Sequence, residues 1–187
     1  MKKYPKINSF VKTAILLLTI TLLIACDKDE PTCQGVDCLP PATQTGAGTF
    51  GCLVNGVPYV DNSGRFNCFY QLVNGKYYFN LTANFLGKTP KIISLATNAL
   101  IIERNNTYPL FNKDIGNFYA EVTFDNNPPT FLNDNTTNNV YTGIIIINMF
   151  NFDNRIISGL FNFKIEDTIN NKTYNITEGR FDAKFTQ

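Results

Sequence analysis

The chain is 187 residues long, carries 16 Lys and Arg against 15 Asp and Glu, and contains neither His nor Trp. Without His there can be no Ser-His or Cys-His nucleophile pair and no His general base, and a zinc site would rest on five Cys whose spacings are not those of CxxC pairs. No long basic run is present, so the electrostatic footprint of a nucleic-acid binder is absent.

In chain order, the first element is a basic head, Lys2, Lys3, Lys6 and Lys12, that precedes an apolar run from Ala14 to Ala25 (AILLLTITLLIA). Its 12 residues fall short of the ~20 that span a bilayer and fit the h-region of a secretory signal. Leu23-Ile24-Ala25-Cys26 closes the run and resembles the lipobox of bacterial lipoproteins, whose cysteine is acylated. The expectation is a signal peptide over 1–25, a mature chain that begins at Cys26, and lipidation of Cys26. Two or three acyl chains anchor a protein stably where one does not. A buried core helix is the plain alternative for the run, and the basic flank, Ala25 and the cysteine together favour the signal. The signal holds four cations and no acid, which leaves 12 basic against 15 acidic residues and a net charge of −3. Asp27-Lys28-Asp29-Glu30 resembles the acidic, Lys-containing signal that Bacteroidota place after the lipidated cysteine of lipoproteins sent to the outer face of the outer membrane; otherwise it is a solvated linker. The expected location is the outer membrane, and the resemblance to this export signal implies exposure at the cell surface rather than on the periplasmic face.

Residues 26–47 are polar and broken by Pro31, Gly35, Pro40, Pro41 and Gly46, which predicts a flexible tether. Setting Cys26 aside, Cys33, Cys38, Cys52 and Cys68 remain, an even number in an exported chain. Two disulfides are expected, and nearest-neighbour pairing, 33 with 38 and 52 with 68, is the simplest of three connectivities.

From residue 48 the pattern changes to alternation, as in Tyr77, Phe79, Leu81, Ala83 and Phe85, and again in Phe118, Ala120, Val122 and Phe124. Strands are predicted near 49–54, 57–60, 66–73, 76–85, 91–97, 100–103, 107–110, 117–124, 140–150, 155–166 and 172–186, the last broken at Glu178-Gly179. Asn55-Gly56 and Asn74-Gly75 are type I′ hairpin signals, and Asp153-Asn154 and Asn170-Asn171 read as further turns. Tyr141 to Phe150 (YTGIIIINMF), apolar on both faces, predicts a central strand covered on two sides. Residues 48–187 therefore read as a single all-β domain of about ten mostly antiparallel strands, either a sandwich or a flattened barrel. Asp167-Thr168-Ile169 resembles the Asp-Ser/Thr-aliphatic pattern for O-glycosylation in exported Bacteroidota proteins, which makes Thr168 a candidate acceptor beside a plain turn. Calcium in the Asp125-Asn126-Asn127 or Asn151 to Asn154 turns lacks an EF-hand pattern, so no metal and no cofactor are expected.

The segments Leu39 to Gly46 (LPPATQTG), Thr49 to Gly56 (TFGCLVNG), Asn67 to Gln71 (NCFYQ) and Ile176 to Asp182 (ITEGRFD) resemble a Bacteroidota family of exported lipoproteins of unknown function. The resemblance runs from about residue 39 to 185 and implies a β-rich fold, export and a Cys52 to Cys68 pairing; the family carries no established activity. Three functions compete. The first is a membrane-tethered, non-catalytic binding or accessory module for a glycan or an envelope protein. The second is a carboxylate-dependent, glycosidase-like enzyme, which needs two acids about 5 to 9.5 Å apart drawn from Glu103, Glu121, Glu166 and Glu178. A small β-barrel carrying an apolar ligand between Phe-rich walls is the third. Alternation places Glu121 and Glu166 on wet strand faces, which favours the binding module.

Overall fold

Turn chemistry and alternation fix most of the local structure. Asn55 and Asn74 adopt φ 49°, with Gly56 at 81° and Gly75 at 76°. These paired positive values are what a type I′ turn requires. They join β1 (Thr49–Val54) to β2 (Val57–Val60) and β3 (Asn67–Val73) to β4 (Lys76–Asn84). The computed structural model describes residues 33–86, 90–124 and 133–187, and in these β5 (Ile92–Thr97), β6 (Asn106–Leu110), β7 (Phe118–Phe124), β8 (Asn133–Thr136), β9 (Gly143–Asn151), β10 (Ile156–Asp167) and β11 (Lys172–Lys184) follow.

The strands lie in the order β2-β1-β11-β10-β9-β6-β7-β5-β4-β3, with β8 on β7 beside that path. Ten strands make a curled mixed sheet, a half-barrel, whose parallel pairings among the described residues are β6 with β7 and a single bridge between Phe69 and Thr186. Of the two arrangements expected, the sheet follows the curled one. Two sets of hydrogen bonds draw the ends of the path together. Thr186, just past β11, accepts from the Tyr70 N–H at 2.8 Å and donates to the Cys68 carbonyl at 3.0 Å. Tyr59 of β2 donates its hydroxyl to the Ala83 carbonyl of β4 at 3.0 Å.

Curling gives the sheet one inside, and the inward residues of every long strand fill it. Phe79, Leu81, Ile93, Leu95, Ala120, Val122, Ile145 and Ile147 are buried there. Aromatic rings interlock across it, Phe50 on Phe161 at 5.2 Å and Phe124 on Tyr174 at 4.9 Å. Burial of this size supplies the main driving force for folding.

Several expectations are corrected. The stretch 100–103 is not a strand: Ala99 and Asn105 take φ 57° and 58°, and Ile102 drops into the core with its N–H on the Tyr70 hydroxyl. β8, with the sequence Asn-Asp-Asn-Thr, carries no apolar alternation and forms because β7 offers it a free edge. β9 is central, between β10 and β6, yet only its inner face is covered; Ile144 remains 40% exposed, because a single curled sheet has no second layer to place over it. The expected tether is shorter too. Gln34–Gln187 form one compact unit, and from Leu39 the chain lies as a strap on the outer face of the sheet, so the folded body begins well before residue 48.

Cys33 and Cys38 are disulfide-bonded around a short 3-10 helix, Gly35–Cys38. Cys52 and Cys68 are separate buried thiols, not the expected bridge. β1 pairs with β2 and β11, and β3 pairs with β4, so no ladder holds the two cysteines face to face. Burial pushes both thiols well above their ordinary range and suppresses the thiolate that reacts. Alkylation of the native protein is therefore expected to leave Cys52 and Cys68 unmodified, while alkylation in denaturant without reductant labels both. A 52–68 linked peptide in an unreduced digest would contradict this.

Candidate binding trough

The outward residues of β9, β10 and β11 line a concave surface. Alternation turns Ile144 and Ile146 of β9 and Leu160, Asn162 and Lys164 of β10 away from the core. β11 breaks its own alternation to join them. Glu178 takes φ 53°, and the β10–β11 register skips a residue between Phe161 and Phe163. This β-bulge lets Gly179 turn inward while Glu178 stays exposed, and it leaves Arg180 facing outward. Only glycine fits at 179, since a Cβ there would lie 2.4 Å from the Phe161 ring.

Arg180 folds back on the bulge. Its Nε–H donates to the Glu178 carbonyl at 3.2 Å and a terminal nitrogen lies 3.6 Å from the Glu178 carboxylate. Two adjoining clefts, of about 400 and 620 Å³, share Ile144, Asn162 and Glu178. Together they form one trough, floored by Ile144, Ile146 and Leu160 and closed on one side by Ala42 of the strap. Its lining presents one carboxylate, Glu178, and two cations, Arg180 and Lys164.

The strap is held beside the trough by the next outward residue of β11. Asp182 is fully buried. Its carboxylate accepts from the Thr43 hydroxyl at 2.6 Å and from the Thr45, Gly46 and Ala47 amides at 2.9, 2.7 and 3.2 Å. Successive amides converging on one oxygen pair make a backbone nest for an anion. Desolvation raises the carboxyl, and these four donors overcome it and hold Asp182 below its ordinary value. Packing follows the same line: Leu39 is buried, and Pro40 comes so close to Gly51 that a Cβ there would meet its ring at 2.5 Å.

The other candidate residues lie apart from the trough. Glu121 on β7 pairs with Lys113 at 3.0 Å. Glu103 sits in the loop before β6 and accepts from Asn106. Glu166 lines a smaller cleft with Asn135, Thr136, Asn138 and Thr168. Thr168 is exposed on the β10–β11 turn, but its amide and hydroxyl both donate to the Asn135 side chain, at 3.2 and 2.8 Å. Asp167 beside it accepts from the Ile169 and Asn170 amides, the self-satisfied turn that such residues favour. Asn151 does the same for the Asn154 amide. Cys26 and the Asp125-Asn126-Asn127 turn lie outside the described residues. Among the described residues no group of three or more Cys, Asp or Glu could hold a metal ion.

Sequence reasoning singled out Glu178 but missed Arg180 and Asp182. Alternation sets Asp182 between inward Phe181 and Ala183 and so places it on the outer face, where it reads as a solvated acid; its strap partners lie more than 130 positions away and leave no local signal. Searches of protein-family models, of curated proteins and of solved structures return no significant match to this chain.

Proposed function

We propose that this chain is a lipid-anchored outer-membrane protein whose folded part is a non-catalytic binding module, with the trough across β9, β10 and β11 as its recognition surface. The trough's composition carries the reading. Its apolar floor is ringed by Asn162, Asn175, Thr142 and Thr177, and one carboxylate stands among two cations. An apolar surface with a few placed polar groups suits the capture of a glycan or of an envelope protein segment. The second acid that glycoside hydrolysis needs has no counterpart in that lining.

Two experiments test the two halves. Cys26→Ser is expected to abolish incorporation of a fatty-acid probe and release the protein from the membrane fraction; equal labelling of the variant would overturn the anchor. Glycan and peptide arrays probed with the mature chain are expected to give ligands whose binding falls at least tenfold in Leu160→Lys, a substitution at a site 37% exposed that spares the core. Ligands indifferent to Leu160→Lys, or turnover of an array member that Glu178→Gln removes, would overturn the binding reading.

A further inference from the structure

One end of the half-barrel carries an aromatic cluster whose outermost members reach water. Tyr70 and Tyr77 stack with centroids 4.8 Å apart and an interplanar angle of 7°. Phe152, in the β9–β10 turn, stands edge-on to both at 6.4 Å. Tyr70 is buried, yet Phe152 is 45% exposed, and Leu72, opposite Tyr77 in the β3–β4 ladder, is 59% exposed. Large apolar side chains grouped at an open rim mark a contact surface.

Charge and tether length say what covers it. Lys76 opens β4 at this rim, Arg155 closes the β9–β10 turn, and Lys184 pairs with Ile156 beside it, against Asp153 on the same turn. The chain beyond the signal is net acidic, so a basic rim is not its average surface. A spacer of 22 residues, 26–47, would reach about 75 Å, but with the strap bound to the sheet, the seven steps from Cys26 to Cys33 reach at most about 25 Å. A short tether raises the effective concentration of the rim at the surface that anchors it, so weak contacts suffice.

We propose that this rim docks on an anionic lipid bilayer, with Phe152 and Leu72 at the headgroup boundary and Lys76, Arg155 and Lys184 on lipid phosphates. Apolar tips flanked by cations bind such surfaces through both terms. The orientation rests on the lipid anchor proposed above.

The chain has no Trp, so Phe152→Trp creates a single fluorescent reporter. Val140→Trp, at a position 79% exposed just ahead of β9 and so at the other end of that strand, serves as the control. The acylated proteins are placed on phosphatidylcholine vesicles with and without phosphatidylglycerol, and quenching by brominated lipid is read. F152W is expected to shift to the blue and be quenched at least threefold more than V140W, more so with phosphatidylglycerol and less when Arg155→Glu is added. Equal quenching of the two, or none, in protein shown by mass to be acylated overturns the docking surface alone. Protein without acyl chains overturns the anchor and the orientation with it. A blue shift that needs no lipid and grows with protein concentration assigns the rim to a second copy and overturns the proposal as well. Should F152W fail to fold, Tyr77→Trp carries the same readout.

Discussion

Asp182→Asn is expected to lower the unfolding free energy by about 3–5 kcal/mol. A hydrogen bond to a charged group contributes about 1.5–3 kcal/mol, and each buried donor left without an acceptor costs about 1–3 kcal/mol. The Thr43 hydroxyl and the Thr45, Gly46 and Ala47 amides all aim at this one carboxylate. An Asn amide offers one acceptor and turns two N–H donors toward groups that are themselves donors. The urea midpoint should fall with little change in slope, and protease should cut within 39–47 in the variant before it cuts the wild type. Acid provides a second reading. Because the folded carboxyl lies below its unfolded value, near pH 3.9 for a free Asp, its stabilisation is complete above that range and is lost as pH falls through the folded value. The variant should lack that part of the acid limb; identical acid limbs in both proteins would show that Asp182 is not the latch.

Phe161→Ala is expected to cost about 3–5 kcal/mol, the range for truncating a buried aromatic. The ring is buried and meets Phe50 at 5.2 Å, Phe163 at 6.2 Å and Phe181 at 6.4 Å, so its loss opens a cavity shared by three strands. Gly179→Ala attacks the same spot from the other side. The added Cβ meets the Phe161 ring and should cost about 1–3 kcal/mol by overpacking. Combined, the two substitutions should cost less than the sum of their separate effects, because truncating the ring makes room for the new methyl. Denaturant unfolding of the four proteins tests this. Strict additivity would mean that the bulge answers to backbone demands alone and not to the Phe161 ring.

Local chemistry made much of this fold legible. Each Asn-Gly pair lies in the turn it predicts, since few other dipeptides accept two positive φ values, and the inward positions of β4, β7 and β10 follow alternation. The break at Glu178-Gly179 was visible as a disturbance of that alternation, and it became the bulge that shapes the trough. What escaped were contacts between residues far apart in the chain. Nothing near Asn133–Thr136 announces a strand, because its pairing depends on the free edge of β7. Thr43 and Asp182 are separated by 139 positions, and a Pro- and Gly-broken stretch with no hydrophobic period looks like a spacer whether or not a carboxylate waits for its amides.

The sequence by itself determined every strand but β8, the hairpin turns and most of the side chains that face inward, because φ preferences and the two-residue repeat act over a few residues. Tertiary structure alone decided that the sheet would curl with one inside, leaving Ile144 and Leu160 open to solvent, that Cys52 and Cys68 would lie in separate ladders, and that residues 39–47 would bind the sheet. These outcomes depend on which strand edges and polar groups meet after closure, and loops of more than a hundred residues must close before those groups meet.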